Sequence, residues 1–199
     1  MIVLSVNAGS SSLKFQAYDM PEENVLISGV FERIGMKESF YTIKLNGEKI
    51  KKEVELKNHE RALEILMEEL IDNKIVSSLD EIKAIGHRIA QGGPYFDKTE
   101  EMTDENIKKV RELAVLAPLH NAAAIKGIKA AKSVVPNALQ TGTFDTAFHQ
   151  TIEEENYLYP VPYEWCDKYK VRKYGFHGTS HKYVAYRMNE ILGRYNTKL

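Results

Sequence analysis

The chain has 199 residues, 43% of them hydrophobic and 28% charged, with 27 lysines and arginines against 28 aspartates and glutamates. This is the make-up of a globular protein with a real core, and the balanced charge gives no reason to expect nucleic acid or an anionic membrane as partner. A single cysteine, Cys166, rules out an internal disulfide, the N-terminus lacks the layout of a signal peptide, and no apolar run approaches a membrane span, so a soluble cytoplasmic protein is expected.

Residues 2–6 form a short β-branched run that predicts a strand. A small polar turn follows, Asn7-Ala-Gly-Ser-Ser-Ser12, and residues 13–18 predict a second strand. Residues 25–33 predict a third. Residues 40–45 and 53–56 flank Asn46-Gly47, a strong hairpin signal. The chain up to about residue 57 therefore reads as an antiparallel meander. The period then changes. Asn58 is placed to cap a helix running to about residue 73, with Ala62, Leu63, Ile65, Leu66, Leu70 and Ile71 at helical spacing. Residues 82–89 predict a buried strand. Thr103 caps the next helix, whose first turn holds Asp104 and Glu105; Pro118 interrupts it. An alanine-rich helix is expected from about residue 121 to 133, and a strand over 139–145. Ser180 is expected to cap a last helix with Val184, Met188, Ile191 and Leu192 on one face. Strands first, then alternating helices and strands, predict an α/β fold with a mixed sheet.

Several polar clusters carry chemistry. The turn after the first strand has small side chains and many backbone N–H groups, which suit close approach by a phosphate. Ser10, Ser11 and Ser12 add hydroxyl donors, Lys14 a point charge, and Asn7 an oxygen for hydrated Mg²⁺. A strand follows instead of a helix, so this is not a Walker loop; a plain hairpin turn is the alternative. Arg88 ends a buried strand just before Gly92-Gly93, where a guanidinium can grip a carboxylate or phosphate in a two-pronged contact; a surface arginine is the alternative. His120 lies at a break between helices and Asp145 just after a strand, each a candidate site group or a helix cap, with Thr146 able to share the cap. His177 sits between glycines, free to donate to a phosphoryl oxygen. Pairing it with His181 for zinc is disfavoured, because Gly178 and a cap at Ser180 break a shared helical face.

The segments VNAGSSSLKF, IGHRIAQGG, APLHN, FDTAFHQT, YLYPVPYE and KYGFHGTSHKYV, in this order, resemble the acetate kinase family. The resemblance implies an actin-like ATPase (ribonuclease H-like) fold, of two duplicated α/β domains with the site in the cleft between them. Residues 1–150 are expected to form the N-terminal domain and 151–199 the start of the second. It implies reversible phosphoryl transfer from ATP to acetate, with acetyl phosphate as product and Mg²⁺ as cofactor. Residue by residue, Asn7 matches the magnesium-linked asparagine, Lys14, Ser10 and Ser12 the nucleotide site, and Arg88 the arginine that grips carboxylate or phosphate. Asp145, His177 and His120 match catalytic positions, and Ala90, Leu119 and Phe176 the wall around the acyl group. A carboxylate nucleophile with pKa of about 4–5 is already ionised at neutral pH, so Asp145 reads as an orienting group and not a base, in a direct in-line transfer.

Departures from the family pattern matter too. Members are about twice as long. The downstream glycine-rich nucleotide segment, a second arginine and a metal-binding glutamate are therefore expected outside these residues, with weak nucleotide binding and little turnover by this chain alone. The family's homodimer contact is doubtful for the same reason. Gln91 stands where histidine is usual and Ala90 where valine is common, which predicts a wider acyl pocket and better use of propionate. Residues 140–143 are more polar than the usual strand, which predicts a looser one. A propionate or butyrate kinase relative and a catalytically inactive binding or regulatory domain are the competing readings.

Overall fold

The computed structural model describes residues 1–194. One eight-stranded mixed sheet organises them, in the order β5-β4-β3-β2-β1-β6-β8-β7. The first five strands, β1 (Ile2–Ala8), β2 (Ser12–Asp19), β3 (Asn24–Glu32), β4 (Phe40–Leu45) and β5 (Glu48–Glu53), form the predicted antiparallel meander. β6 (Ile82–Ile89) then joins β1 in parallel, and β8 (Leu139–Phe144) joins β6 in parallel. The two-residue β7 (Glu100–Glu101) closes the far edge.

Two strand expectations need correction. The partner of β4 is β5 at Glu48–Glu53, not residues 53–56. Asn46 and Gly47 both take positive φ, 51° and 85°, so the turn closes in two residues and pairs Leu45 with Glu48. Sequence patterning hides β5 because it is a charged edge strand, as edges that avoid further pairing tend to be. The polar strand β8 is not loose: it pairs on both sides, and buried Gln140 donates to Ala138 O at 3.0 Å while accepting from His87 at 2.8 Å.

α1 (His59–Asp72) begins as expected, with Asn58 Oδ1 accepting from Arg61 N. Thr103 likewise caps α2 (Asp104–Glu112). Pro118 does not interrupt that helix. α2 ends at Glu112 and passes through a short 3₁₀ turn, and Pro118 is the first residue of α3 (Pro118–Val134), where its missing N–H costs nothing. His120 therefore lies inside the first turn of α3 and caps nothing. Two short helices, α4 (Glu154–Tyr157) and α5 (Tyr163–Tyr169), precede α6 (Gly178–Leu192). The start of α6 also departs from expectation. His177, with φ 54°, is the cap residue, so Ser180 lies within the helix. Val184, Ile191 and Leu192 face outward.

Leu4, Val6, Leu13, Phe15, Ile27, Phe31 and Ile85 share one core with Leu63, Leu66 and Leu70 of α1 and Ala130 and Ala131 of α3. A second cluster joins Ile89, Phe144 and Phe96 to Ile107, Val110, Ile125 and Ile128. Strand alternation then turns Ser5, Asn7, Lys14, Gln16, Ser28 and Arg88 to the opposite face of the sheet. The register makes Asn7 and Lys14 direct cross-strand neighbours, with β6 and Arg88 on the other side of β1.

Candidate active site

Arg88 is the penultimate residue of β6, pointing away from the helices that cover the core. The parallel register pairs it with Thr143. Asp145 N donates to Ile89 O at 2.9 Å, so the ladder runs one residue past β8 and holds the Asp145 carboxylate across the end of β6. Arg88 Nε lies 3.1 and 3.2 Å from the two Asp145 oxygens, and Nη2 lies 2.6 Å from Oδ2. The Asp145 side chain is 2% exposed and that of Arg88 40%. A buried carboxylate thus grips one edge of a guanidinium whose remainder reaches solvent. That grip holds the Arg88 pKa above its ordinary value.

His177 completes the cluster. Arg88 Nη2 is 3.2 Å from His177 Nδ1, and that nitrogen is 3.9 Å from Asp145 Oδ2. Guanidinium only donates, so this contact requires a lone pair on Nδ1 and a proton on Nε2. The ring then offers Nε2–H to whatever lies beyond. Its backbone is held from two sides: Gly178 N donates to Asp145 O at 2.8 Å, and His149 Nε2 donates to Phe176 O at 3.0 Å. Gly175 supplies the turn with φ 69°, beside the His149 ring.

Around this cluster lies a pocket of about 440 Å³, lined by Arg88, Ala90, Leu119, His120, Asp145, Phe176 and His177 among others. It joins one cationic fork, two histidines and an apolar rim of Ala90, Leu119 and Phe176. Such a pocket suits a small anion with a short apolar tail. Seven of the expected site residues meet here. Asn7 and Lys14 line a separate hollow of about 450 Å³ on the sheet face, with Gln16 and Ser28. Ser10 opens on a third cavity, with Lys57, His59, Lys126 and Lys129. Ser12 begins β2 and lines none of these.

Two further histidines, His59 and His149, shape these sites. His59 Nε2 donates to Gly9 O at 2.7 Å and pins the polar turn from the helix layer. His149 holds the Phe176–His177 turn as described. His59 has no local motif and meets its partner across 50 positions; His149 lies in the segment FDTAFHQT, but nothing local there names Phe176 as its partner. The cap reading of Thr146 is also wrong: its Oγ1 accepts from Gly92 N at 3.0 Å.

Among the described residues no group of three or more His, Cys, Asp or Glu side chains is placed to hold a metal ion. His181 instead packs edge-on against His149. Magnesium carried mainly by nucleotide phosphates needs no such cage, only an oxygen or two nearby. The Asn7 amide fits that need, since it lies on the open face beside Lys14 and is not engaged by any other described side chain.

His87, one residue before Arg88, points the other way, into the core. It is 2% exposed and donates from Nε2 to Gln140 Oε1. Burial pushes its pKa from 6.5 down to about 4. The unfolded chain therefore takes up a proton that the folded chain refuses between these values. The resulting stability is fully present above the unfolded pKa and is lost as pH falls through the folded one, on the order of 3 kcal/mol. Urea midpoints at pH 7 and near pH 4 are expected to differ less in His87→Gln than in the parent. An equal drop in both refutes this.

A family model described as the acetokinase family matches residues 2–199. Acetate kinase 2 of Listeria monocytogenes is 51% identical over 191 residues, 96% of this chain and 48% of that protein. The acetate kinase of Phytoplasma mali is 49% identical over 199 residues, all of this chain and 51% of that protein. The solved structure of Porphyromonas gingivalis acetate kinase superposes with a TM-score of 0.91 at 45% identity, covering 98% of this chain and 49% of that one. A propionate kinase from Francisella tularensis gives the same TM-score at 39% identity, over 97% of this chain and 49% of that one. The chain spans about half the length of the curated relatives it matches. The fold is thus the actin-like ATPase fold of these enzymes.

Proposed function

Because this chain belongs to the acetokinase family, we propose that it supplies the carboxylate and phosphoryl end of an acetate kinase, which transfers phosphate between ATP and acetate. The observation that carries the reading is the Arg88–Asp145–His177 cluster at the mouth of a pocket with an apolar rim. Acetate enters with its methyl group against Ala90, Leu119 and Phe176 and its oxygens toward Arg88. It is ionised at neutral pH and needs no base. Asp145, already spent on Arg88, orients that guanidinium and takes no proton. In the in-line transition state, charge spreads over the equatorial oxygens of the moving phosphoryl group. Arg88 and His177 Nε2–H are fixed donors there and need no reorganisation. His120, on the first turn of α3, borders the same pocket.

Asn7, Lys14, Ser10 and Ser12 are proposed to face the nucleotide phosphates, with Asn7 supplying an oxygen to the water shell of Mg²⁺. When bound, that ion neutralises phosphate charge. Residues 1–150 are taken as one domain and 151–199 as the beginning of a second, the last five residues lying outside those described. A cytoplasmic location accords with acetate and ATP as substrates.

The relatives are about twice as long, so activity is proposed for a protein of that length. The test is a fusion of residues 1–199 to the C-terminal half of the Porphyromonas gingivalis enzyme, assayed by trapping acetyl phosphate with hydroxylamine. Product that requires ATP, Mg²⁺ and acetate together is expected. A folded fusion that makes none contradicts the reading.

Propionate is the alternative substrate, favoured by the small Ala90 side chain on the pocket wall. Ala90→Val adds two methyl groups there. The ratio of kcat/KM for propionate to that for acetate is expected to fall by about tenfold, the usual worth of a methylene in an apolar site. An unchanged ratio means that Ala90 does not face the acyl chain.

A further inference from the structure

The pocket of Arg88 has two walls on different elements. One is Ala90, just past the end of β6; the other is Leu119 and His120, in the first turn of α3. That turn has no side-chain cap. What ties it to the end of β6 is Asn121, whose side chain is completely buried. Its Oδ1 accepts from Gln91 N at 3.1 Å. Its Nδ2 donates to Gln91 O at 3.0 Å and to Val110 O, at the end of α2, at 3.2 Å. One amide, next in sequence to His120, thus satisfies both backbone polar groups of the residue next to Ala90.

The turn beyond is fastened in the same manner. Gly93 N donates to Gln91 Oε1 at 2.8 Å, Gly92 N to Thr146 Oγ1 at 3.0 Å, and Gln150 Nε2 to Gly93 O at 2.7 Å. Thr146 directly follows Asp145, so the clamp reaches the segment that holds Arg88.

We propose that Asn121 is a positioning residue that fixes the spacing between Ala90 and Leu119, and thereby the length of acyl chain the pocket prefers. The proposal rests on reading this pocket as the acyl site. The chemistry selects asparagine closely. Aspartate offers no donor to the two carbonyls and buries a charge. Alanine leaves a buried N–H and two buried carbonyls without partners. Glutamine adds a methylene where no space remains. With the clamp gone, the turn after β6 and the start of α3 are joined only by apolar packing. The pocket then accepts longer chains and discriminates less.

The test is an NMR titration of the 199-residue chain with acetate, propionate and butyrate, following the signals of Ala90, Leu119 and His120. Asn121→Ala is the first variant. Thr146→Val, which removes one acceptor of the same clamp without adding volume, serves if the first fails to fold. Each is expected to shift the ratio of acetate to butyrate affinity toward butyrate by about threefold or more. Folded variants with a lower Tm and the parent's ratio overturn the assignment and leave Asn121 a purely structural residue. Absence of any carboxylate response at Arg88 and Leu119 in the parent chain is a different result. It overturns the acyl-site reading itself, and the proposal with it.

Discussion

Arg88→Ala is expected to lose short-carboxylate binding and to cut phosphoryl transfer by about 10³-fold or more, in the range seen when an arginine that stabilises a transferring phosphoryl group is removed. Among the described residues, the guanidinium is the only strong cation lining the pocket. Its free edge is aimed by a bidentate contact on the other edge, so the donors are set before substrate arrives. The substitution also leaves Asp145, 2% exposed, without its main partner. A carboxylate left unpaired in a closed interior costs about 3–5 kcal/mol. A smaller cost is expected here, since the exposed side of the cluster lets water enter. Arg88→Lys is expected to lie between: charge is retained but not the planar fork. Rates in the fusion with the Porphyromonas half and thermal melts of the 199-residue chain separate the two effects. A near-normal rate in Arg88→Ala excludes it from the chemistry.

Asp145→Asn is expected to lower kcat by about 10²-fold, the scale of losing one preorganised donor, with a small change in Tm. Asp145 holds Arg88 through its two carboxylate oxygens, and its backbone carbonyl accepts from the N–H of Gly178, next to His177. Asparagine keeps the shape and the backbone contact but turns one acceptor into a donor, opposite a group that only donates. The Arg88 fork must then swing, and the His177 ring, whose Nδ1 accepts from Arg88, loses its anchor. A neutral amide is easier to bury than an unpaired charge, hence the mild effect on stability. The expected signature is a fall in kcat with a smaller change in KM for ATP. A fall in Tm of the size seen for Arg88→Ala, with kcat unchanged, makes Asp145 a stability residue only.

Much of this site was readable from the sequence because its parts lie at element ends with clear local signals. Ile82–Ile89 is apolar enough to be recognised as a strand, and the more polar Leu139–Phe144 still reads as one; parallel neighbours place their carboxyl ends together, which brings Arg88 and Asp145 within reach. Asn58 and Thr103 announced their helices because a cap is a local hydrogen bond. The errors came where a local signal has two meanings. Proline stops a helix in its interior but starts one at the first position, and Pro118 is the second case. The charged strand β5 shows no alternation because neither of its faces is deeply buried. The hydroxyl of Ser180 reads as a cap in sequence, whereas the left-handed backbone of His177, fixed by Gly178 N on Asp145 O, makes His177 the cap residue. That contact, like those of His59, His149 and Asn121, joins positions far apart in the chain. Nothing near these residues in sequence reveals such partners.

Asn7 and Lys14 share a face, as alternation on a hairpin requires, whereas Ser10 opens on a cavity of its own. A turn of small residues fixes its own hydrogen bonds, Gly9 N to Ser12 O here, and says little about where its side chains open.

The most direct test of the account is a two-dimensional amide NMR titration of the 199-residue chain with acetyl phosphate, on the parent and on Arg88→Ala. The account predicts shifts gathered at Arg88, Ala90, Leu119, His120, Phe176 and His177 in the parent, and their disappearance in the variant. Shifts centred instead on Ser10, Lys57 and Lys126, or shifts that survive the loss of Arg88, contradict it.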